Sequence, residues 1–209
     1  VGKKAFRYYF RLETEDNRIY YYDRRGVSDT YSIDKAHTHF LAVPGFKTPD
    51  WAKGAVFYQI MVDRFFNGDK SNDVISGEYL YLDKPVIKED DWNKPPRCSD
   101  DYRHFYGGDL KGIIDKLPYF KELGVDAIYL NPIFVSPSSH KYDTQDYDHV
   151  DPHFGVIIED GGELVCGKKN NSEAERYIRR VTSRINLEAS DRLFISLVEK
   201  AHKNNIKVI

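Results

Sequence analysis

GVDAIYLNPIFVSPSSHKYDTQDYDHVDPHFG, residues 124–155, decides how this chain folds. Val125, Ala127, Ile128, Tyr129 and Leu130 make a short apolar run behind a glycine. That is the pattern of a parallel strand covered on both faces. The run then stops being regular. Pro132 cannot donate to a sheet ladder, and Pro137 among Ser136, Ser138 and Ser139 marks a loop. The loop carries His140, Tyr142, Asp143, Asp146 and Tyr147 within eight residues. A strand whose C-terminal end opens into a loop rich in His, Asp and Tyr is how α/β enzymes build sites.

Toward the N-terminus, Gly107 and Gly108 precede Asp109, a good N-cap. Leu110, Ile113, Ile114, Leu117, Phe120 and Leu123 follow at helical spacing. Pro118 interrupts them, which predicts a kink or two short helices in series. Gly124 suits the left-handed position after a helix end. Residues 74–103 hold acids, prolines and one short apolar patch at 79–82. So long a stretch without regular pattern reads as a functional loop or an insertion. Residues 55–62 (AVFYQIMV) form a second buried parallel strand, and 44–51 (PGFKTPDW) a linker. Residues 1 to about 45 read as β. Phe6, Tyr8, Phe10 and Leu12 alternate like a half-buried strand, 14–17 and 23–26 supply turns, and 19–22 returns. Tyr31, Ile33 and the run 39–43 add one or two more strands.

Downstream, 156–190 is polar and mixed, with a charged helix expected over 173–185. Ser190 is expected to cap a final helix built on Leu193, Phe194, Leu197, Val198 and Ala201, ended by Asn204 and Asn205. Residues 206–209 begin another buried strand. The order β, loop, α, β, long loop, α, β predicts an α/β fold with a parallel sheet and right-handed crossovers. Three strands do not close a barrel. The chain therefore reads as part of a longer protein, with open sheet edges that would leave it poorly stable alone.

A net charge of −2 leaves no basic face for nucleic acid. No apolar run approaches the ~20 residues of a membrane span. No secretory leader is visible, but the sequence starts abruptly at Val1 inside strand-like sequence, so the compartment is left open, cytoplasmic slightly favoured over secreted. Cys98 and Cys166 lack the spacing of a zinc or redox motif and read as free thiols. The 16 tyrosines and 12 phenylalanines suit rings stacked on sugar faces, and equally suit core and strand filler.

Two clusters carry chemistry. Asn67, Asp69, Asn72 and Asp73 surround Gly68, with Gly107 and Asp109 downstream. Calcium takes six to eight oxygen ligands, and short Asx-rich loops supply them. The same residues also make an ordinary solvated turn. In the second cluster, His140 to Tyr147, a His near Asp can be an acid/base pair or half a metal site. It can equally be a hydrogen-bonded loop with surface aromatics. No phosphate-cradling loop, Gly-x-Ser-x-Gly elbow or His-Glu-x-x-His is present.

AVFYQIMVDRFFNGDKSND (55–73), HFYGGDLKGI (104–113), LPYFKELGVDAIYLNPIF (117–134) and SHKYDTQDYDHVDPHFG (139–155) together resemble the α-amylase family of glycoside hydrolases. The nearest branch is that of neopullulanase and cyclomaltodextrinase, and AHKNNIKVI (201–209) follows in the family's order. Residues 6–43 resemble, less specifically, the last strands of the β-sandwich preceding the barrel in that branch. The resemblance implies two domains: 1–45, the end of a β-sandwich module, and 46–209, the first part of a (β/α)8 barrel. The first three barrel strands would lie near 55–62, 125–131 and 206–209. It implies calcium held by Asn67, Asp69, Asn72, Asp73, the Gly107 carbonyl and Asp109. His140 and Tyr142 would line the subsite before the scissile bond, with Asp143 bracing their loop. Segments 74–103 and 156–190 are longer than the family's usual connections.

The resemblance also implies what this chain lacks. The family's retaining mechanism uses two carboxyl groups roughly 5–5.5 Å apart, with a third acid, after barrel strands four, five and seven. All three would lie beyond residue 209, so no catalytic residue is expected within this chain, and the chain alone is expected to be inactive. Asp63, Asp109, Asp143 and Asp146 match structural or substrate-lining positions. The expected parent is a hydrolase of starch-derived oligosaccharides, pullulan or cyclodextrins, and a homodimer of that intact parent is plausible. A non-catalytic glucan-binding fragment and an α-glucosidase of the same family are the alternatives. The β-module favours the neopullulanase branch over the α-glucosidases.

Overall fold

The computed structural model describes residues 5–95, 99–165, 167, 168 and 170–209. Cys98 and Cys166, read above as free thiols, lie outside the described residues. The chain divides into two units, Val1–Gly54 and Ala55–Ile209.

In the first unit, β1 (Phe6–Tyr8) pairs antiparallel with β5 (Phe40–Ala42), while β2 (Phe10–Glu13), β3 (Ile19–Asp23) and β4 (Gly26–Ser28) form a meander. The alternating run thus breaks at Tyr9. Its apolar side is not half-buried as expected: Phe6, Tyr8, Phe10 and Leu12 are 56%, 43%, 50% and 45% exposed. Two thin sheets supply no second layer to cover them, and the rings of Tyr8, Phe10, Tyr22 and Phe40 pack on one another instead. Tyr31 and Ile33 lie outside any strand. A short helix, α1 (Lys35–Thr38), follows them because the Asp34 carboxylate caps it, accepting from the His37 N–H.

The second unit holds the sheet read from the sequence. β6 (Phe57–Ile60), β11 (Ala127–Leu130) and β14 (Lys207–Val208) are parallel, with β11 in the middle. Between them come β7 (Leu80–Tyr81), β8 (Lys84–Pro85), β9 (Ile87–Lys88), β10 (His104–Phe105), β12 (Phe134–Val135) and β13 (Asp146–Val150). The helices are α2 (Leu110–Asp115), α3 (Leu117–Glu122), α4 (Glu175–Thr182) and α5 (Arg184–Lys203). Pro118 divides α2 from α3, standing in the first turn of α3 where no backbone donor is needed. Gly124 follows at φ +76°. Ile60, Leu110, Ile113, Phe120, Ile128 and Leu197 make the core between sheet and helices.

Three expectations fail here. The strands are covered on one face only: Phe57 and Tyr129 are each nearly half exposed. Ser190 does not begin the last helix, which starts at Arg184. Ser190 and Asn186 are buried inside α5 and hold the incoming chain: Ser190 Oγ accepts from Val156 N, and Asn186 Oδ1 accepts from Ile158 and Glu159 N. Residues 74–103 are not without structure. β7 pairs with β8 and β9 with β10, and Val74, Tyr79, Val86 and Phe105 join Tyr177 and Val181 of α4 in a second core. Apolar residues scattered between acids and prolines carry no period, so that core has no sequence signature.

Candidate functional site

The loop after β11 forms the tip of a hairpin, β12 pairing antiparallel with β13. Hydroxyls fix its shape. Ser136 Oγ donates to Asp143 Oδ1 at 2.7 Å, and Ser138 Oγ donates to the same oxygen. Burial pushes the Asp143 carboxyl up, but the hydroxyls of Ser138, Ser136 and Tyr81 outweigh it and hold it below the ordinary carboxylate range. Asp143 is thus an ionised acceptor that braces the loop, not an acid. Burial, with Asp143 nearby, pushes the Tyr81 phenol up to about 12, which keeps it a donor. His140 Nδ1 accepts from Tyr142 N at 3.1 Å and lies at the same distance from Ser138 Oγ. The two rings lie 5.9 Å apart, inclined at 39°, and Tyr142 is 61% exposed. The structure therefore brings His140, Tyr142 and Asp143 together. Tyr147 packs on Phe134, and Asp146 accepts from Asp148 N.

The segment 74–103 contributes residues that sequence reading missed. Tyr79 Oη donates to Pro137 O, and Ser139 N donates to Tyr102 O. Arg64, paired with Asp63 and Asp101, reaches Ser139 Oγ at 3.4 Å. Contacts so distant in sequence leave no local pattern to find.

The oxygen-rich turn also assembles. Asp109 caps α2 by accepting from Gly112 N at 2.6 Å, and accepts from Asp69 N at 2.8 Å and Gly68 N at 3.2 Å. Asn72 Nδ2 donates to Gly155 O, and Asn67 Nδ2 donates to Asp73 Oδ1. These bonds orient both amides and leave Asn67 Oδ1 and Asn72 Oδ1 buried without a donor among the described residues. Gly107, at φ +81°, completes the cluster: a Cβ there would lie 2.0 Å from Asp73 Oδ1. Burial pushes the Asp73 carboxyl up to about 6, against the Lys88 ammonium 3.4 Å away. Among the described residues no three His, Cys, Asp or Glu side chains converge on one metal point. Any cation here depends on the two asparagine oxygens and the Gly107 carbonyl as well. An all-oxygen donor set with two orphaned oxygens fits a hard cation.

Behind the loop, five buried side chains of alternating charge, Lys141, Asp151, His153, Glu78 and Arg180, run through the interior and end on Asp160 at the surface. Burial opposes charge on His153, yet Glu78 and Asp151 outweigh it and hold the imidazole above its ordinary 6.5. Burial likewise pushes Glu78 and Asp151 up, and their cationic neighbours bring both below the carboxylate range. The signs follow by linkage. His153 stabilises the fold below pH 6.5 and loses that contribution as pH rises through its raised value. Glu78 and Asp151 stabilise it above 4.5 and 3.8, and lose that contribution in acid. The contribution of these three groups, measured by urea denaturation, should thus be greatest between these limits and decline above neutrality. His153→Gln should reduce the alkaline decline, the remainder belonging to His149, which its bond to Asp191 also holds above 6.5. A wild-type stability that climbs from pH 7 to about pH 9 would contradict the imidazolium.

Comparison with known proteins adds four findings. The family model for the alpha amylase catalytic domain matches residues 59–171. Neopullulanase 2 of Thermoactinomyces vulgaris is 46% identical over 158 residues, covering 74% of this chain and 24% of that protein. A cyclomaltodextrinase of Thermoanaerobacter pseudethanolicus is 40% identical over 157 residues, covering 73% and 25%. Among solved structures, the type III pullulan hydrolase from Thermococcus kodakarensis superposes with a TM-score of 0.57 at 27% identity, covering 99% of this chain and 30% of that one. The chain thus spans about a quarter of the length of these two curated relatives.

Proposed function

Because this chain belongs to the α-amylase family of glycoside hydrolases, we propose that it forms the sugar-binding entrance of a retaining α-glucan hydrolase. The substrates are starch-derived oligosaccharides, pullulan or cyclodextrins, the last two being the glucans in the names of its neopullulanase and cyclomaltodextrinase relatives. The observation that carries this reading is the paired His140 and Tyr142 on a braced loop after β11. The Tyr142 ring stacks under a glucose unit. His140 donates from Nε2 to a sugar hydroxyl, while Asp143 keeps the loop in shape. β6, β11 and β14 are the first three strands of a (β/α)8 barrel, and the uncovered face around Phe57 and Tyr129 supports this as the barrel's inner side. Residues 1–45 are the last strands of a β-sandwich, and a homodimer belongs to the intact parent.

The hydrolytic carboxylates are proposed to follow later strands. The support is that Asp63, Asp109 and Asp151 are fully buried and spent on backbone and ion-pair bonds. Calcium is the proposed cation of the oxygen-rich turn, with Asn67, Asp69, Asn72, Asp73, the Gly107 carbonyl and Asp109 as its donors. Bound there, it supplies a rigid tie between the 67–73 loop and the turn that starts α2.

Titration of the protein with maltotriose, followed by tyrosine and tryptophan fluorescence, tests the proposal. Tyr142→Ala should weaken binding by about tenfold, the loss of one stacked ring. No response of the wild type at millimolar sugar, or an unchanged affinity in the variant, would count against it.

A further inference from the structure

We infer that Lys141 is a positioning residue for the sugar-facing loop, and that the buried charge chain behind it makes the geometry of that loop depend on α4. The inference rests on the sugar-binding reading of His140 and Tyr142.

Lys141 separates those two residues and has φ +61°, a left-handed conformation that a lysine does not choose unaided. Its side chain is completely buried. The ammonium donates to Ser136 O at 2.7 Å and to Asp151 Oδ2 at 2.5 Å, and stands 4.9 Å from the centre of the Phe154 ring. The inward pull on residue 141 holds the backbone turn that leaves its two neighbours ring to ring at the surface. Asp151 serves the same loop from below, accepting from Ser136 N.

The anchor is not local. Asp151 Oδ1 pairs with His153 Nδ1, and His153 Nε2 with Glu78 Oε1, both at 2.9 Å. Glu78 Oε2 accepts from Arg180 of α4, which holds Asp160 through two further bonds. Arg180 also donates to the Asp73 carbonyl, in the oxygen-rich turn. Burying so many charges costs more than an apolar core of the same volume. What the charges add is register: each link has one partner and one geometry. Glu78 comes from the segment 74–103, and Asp160 and Arg180 from 156–190. Those two long segments therefore set the subsite without touching the sugar.

The test compares the wild type with Lys141→Met, Lys141→Arg and Arg180→Met in the full chain. The first readout needs no sugar. The nitrogen chemical shifts of His140 report whether Nδ1 accepts a hydrogen bond. Lys141→Met should lose that signature, Arg180→Met should blur it, and Lys141→Arg should keep most of it. The second readout is maltotriose affinity at a temperature where near-ultraviolet circular dichroism shows each variant folded. Lys141→Met should bind about tenfold more weakly, and that loss should disappear in a Tyr142→Ala background. Where Lys141→Met fails to fold, Arg180→Met carries both expectations at smaller size. A His140 signature unchanged in the folded variants would overturn the inference, as would an affinity loss that persists undiminished beside Tyr142→Ala. If the wild type ignores maltotriose, the sugar-binding reading fails, while the His140 shifts still decide whether Lys141 shapes the loop.

Discussion

Asp109→Ala is expected to destabilise the protein by about 4 kcal/mol and to abolish the proposed calcium binding. The carboxylate is fully buried and accepts from the backbone of Gly112, Asp69 and Gly68, and more distantly from Asn72 Nδ2. Loss of the helix cap accounts for about 1 kcal/mol. The loop N–H groups left without an acceptor account for roughly 1–3 kcal/mol more each, reduced where water can enter. Asp109→Asn keeps one acceptor oxygen and should cost less. Urea denaturation gives the stabilities, and calorimetric titration with calcium gives the affinity. A loss below about 1 kcal/mol would mean that the loop does not hang on this carboxylate.

Gly112→Ala should be nearly as damaging, against the usual sign. Alanine in place of a helical glycine ordinarily gains up to about 1 kcal/mol. Here a Cβ would lie 1.9 Å from the Phe66 carbonyl oxygen and 3.2 Å from Gly68 N. Both obstacles are backbone, so neither can rotate aside. α2 must retreat from the 66–69 loop, and Asp109 then loses its loop donors. The expected cost is about 3 kcal/mol or more, the upper end for overpacking. Gly124→Ala is the control. It has φ +76° with nothing within 4 Å, so only backbone strain of about 1 kcal/mol opposes it. Urea midpoints should rank wild type, Gly124→Ala and Gly112→Ala in falling order. A stabilised Gly112→Ala would show that α2 and the loop are not in contact.

What could be read from the sequence was local. The β6 and β11 runs, the Asp109 cap, the break at Pro118 and the left-handed Gly124 each announce themselves within a few residues. The clustering of His140, Tyr142 and Asp143 was legible for the same reason, since they are near neighbours in sequence. Interactions across the chain were not. Lys141 reads as an ordinary surface lysine until Asp151 and Ser136 are seen around it. Ser190 looks like a cap because serine favours caps, yet it serves Val156 from inside α5. The second core draws its residues from stretches scattered between Val74 and Leu187. Asn67 and Asn72 belong to a plausible turn by composition. Only the fold shows that their oxygens are left without donors.

Glucose is proposed to sit on Tyr142 beside His140. A crystal structure of the protein soaked in maltotetraose tests it most directly. The expected density places a pyranose face on the Tyr142 ring, with a hydroxyl within hydrogen-bonding distance of His140 Nε2. A glucan ordered elsewhere on the molecule, with that ring bare, would contradict it.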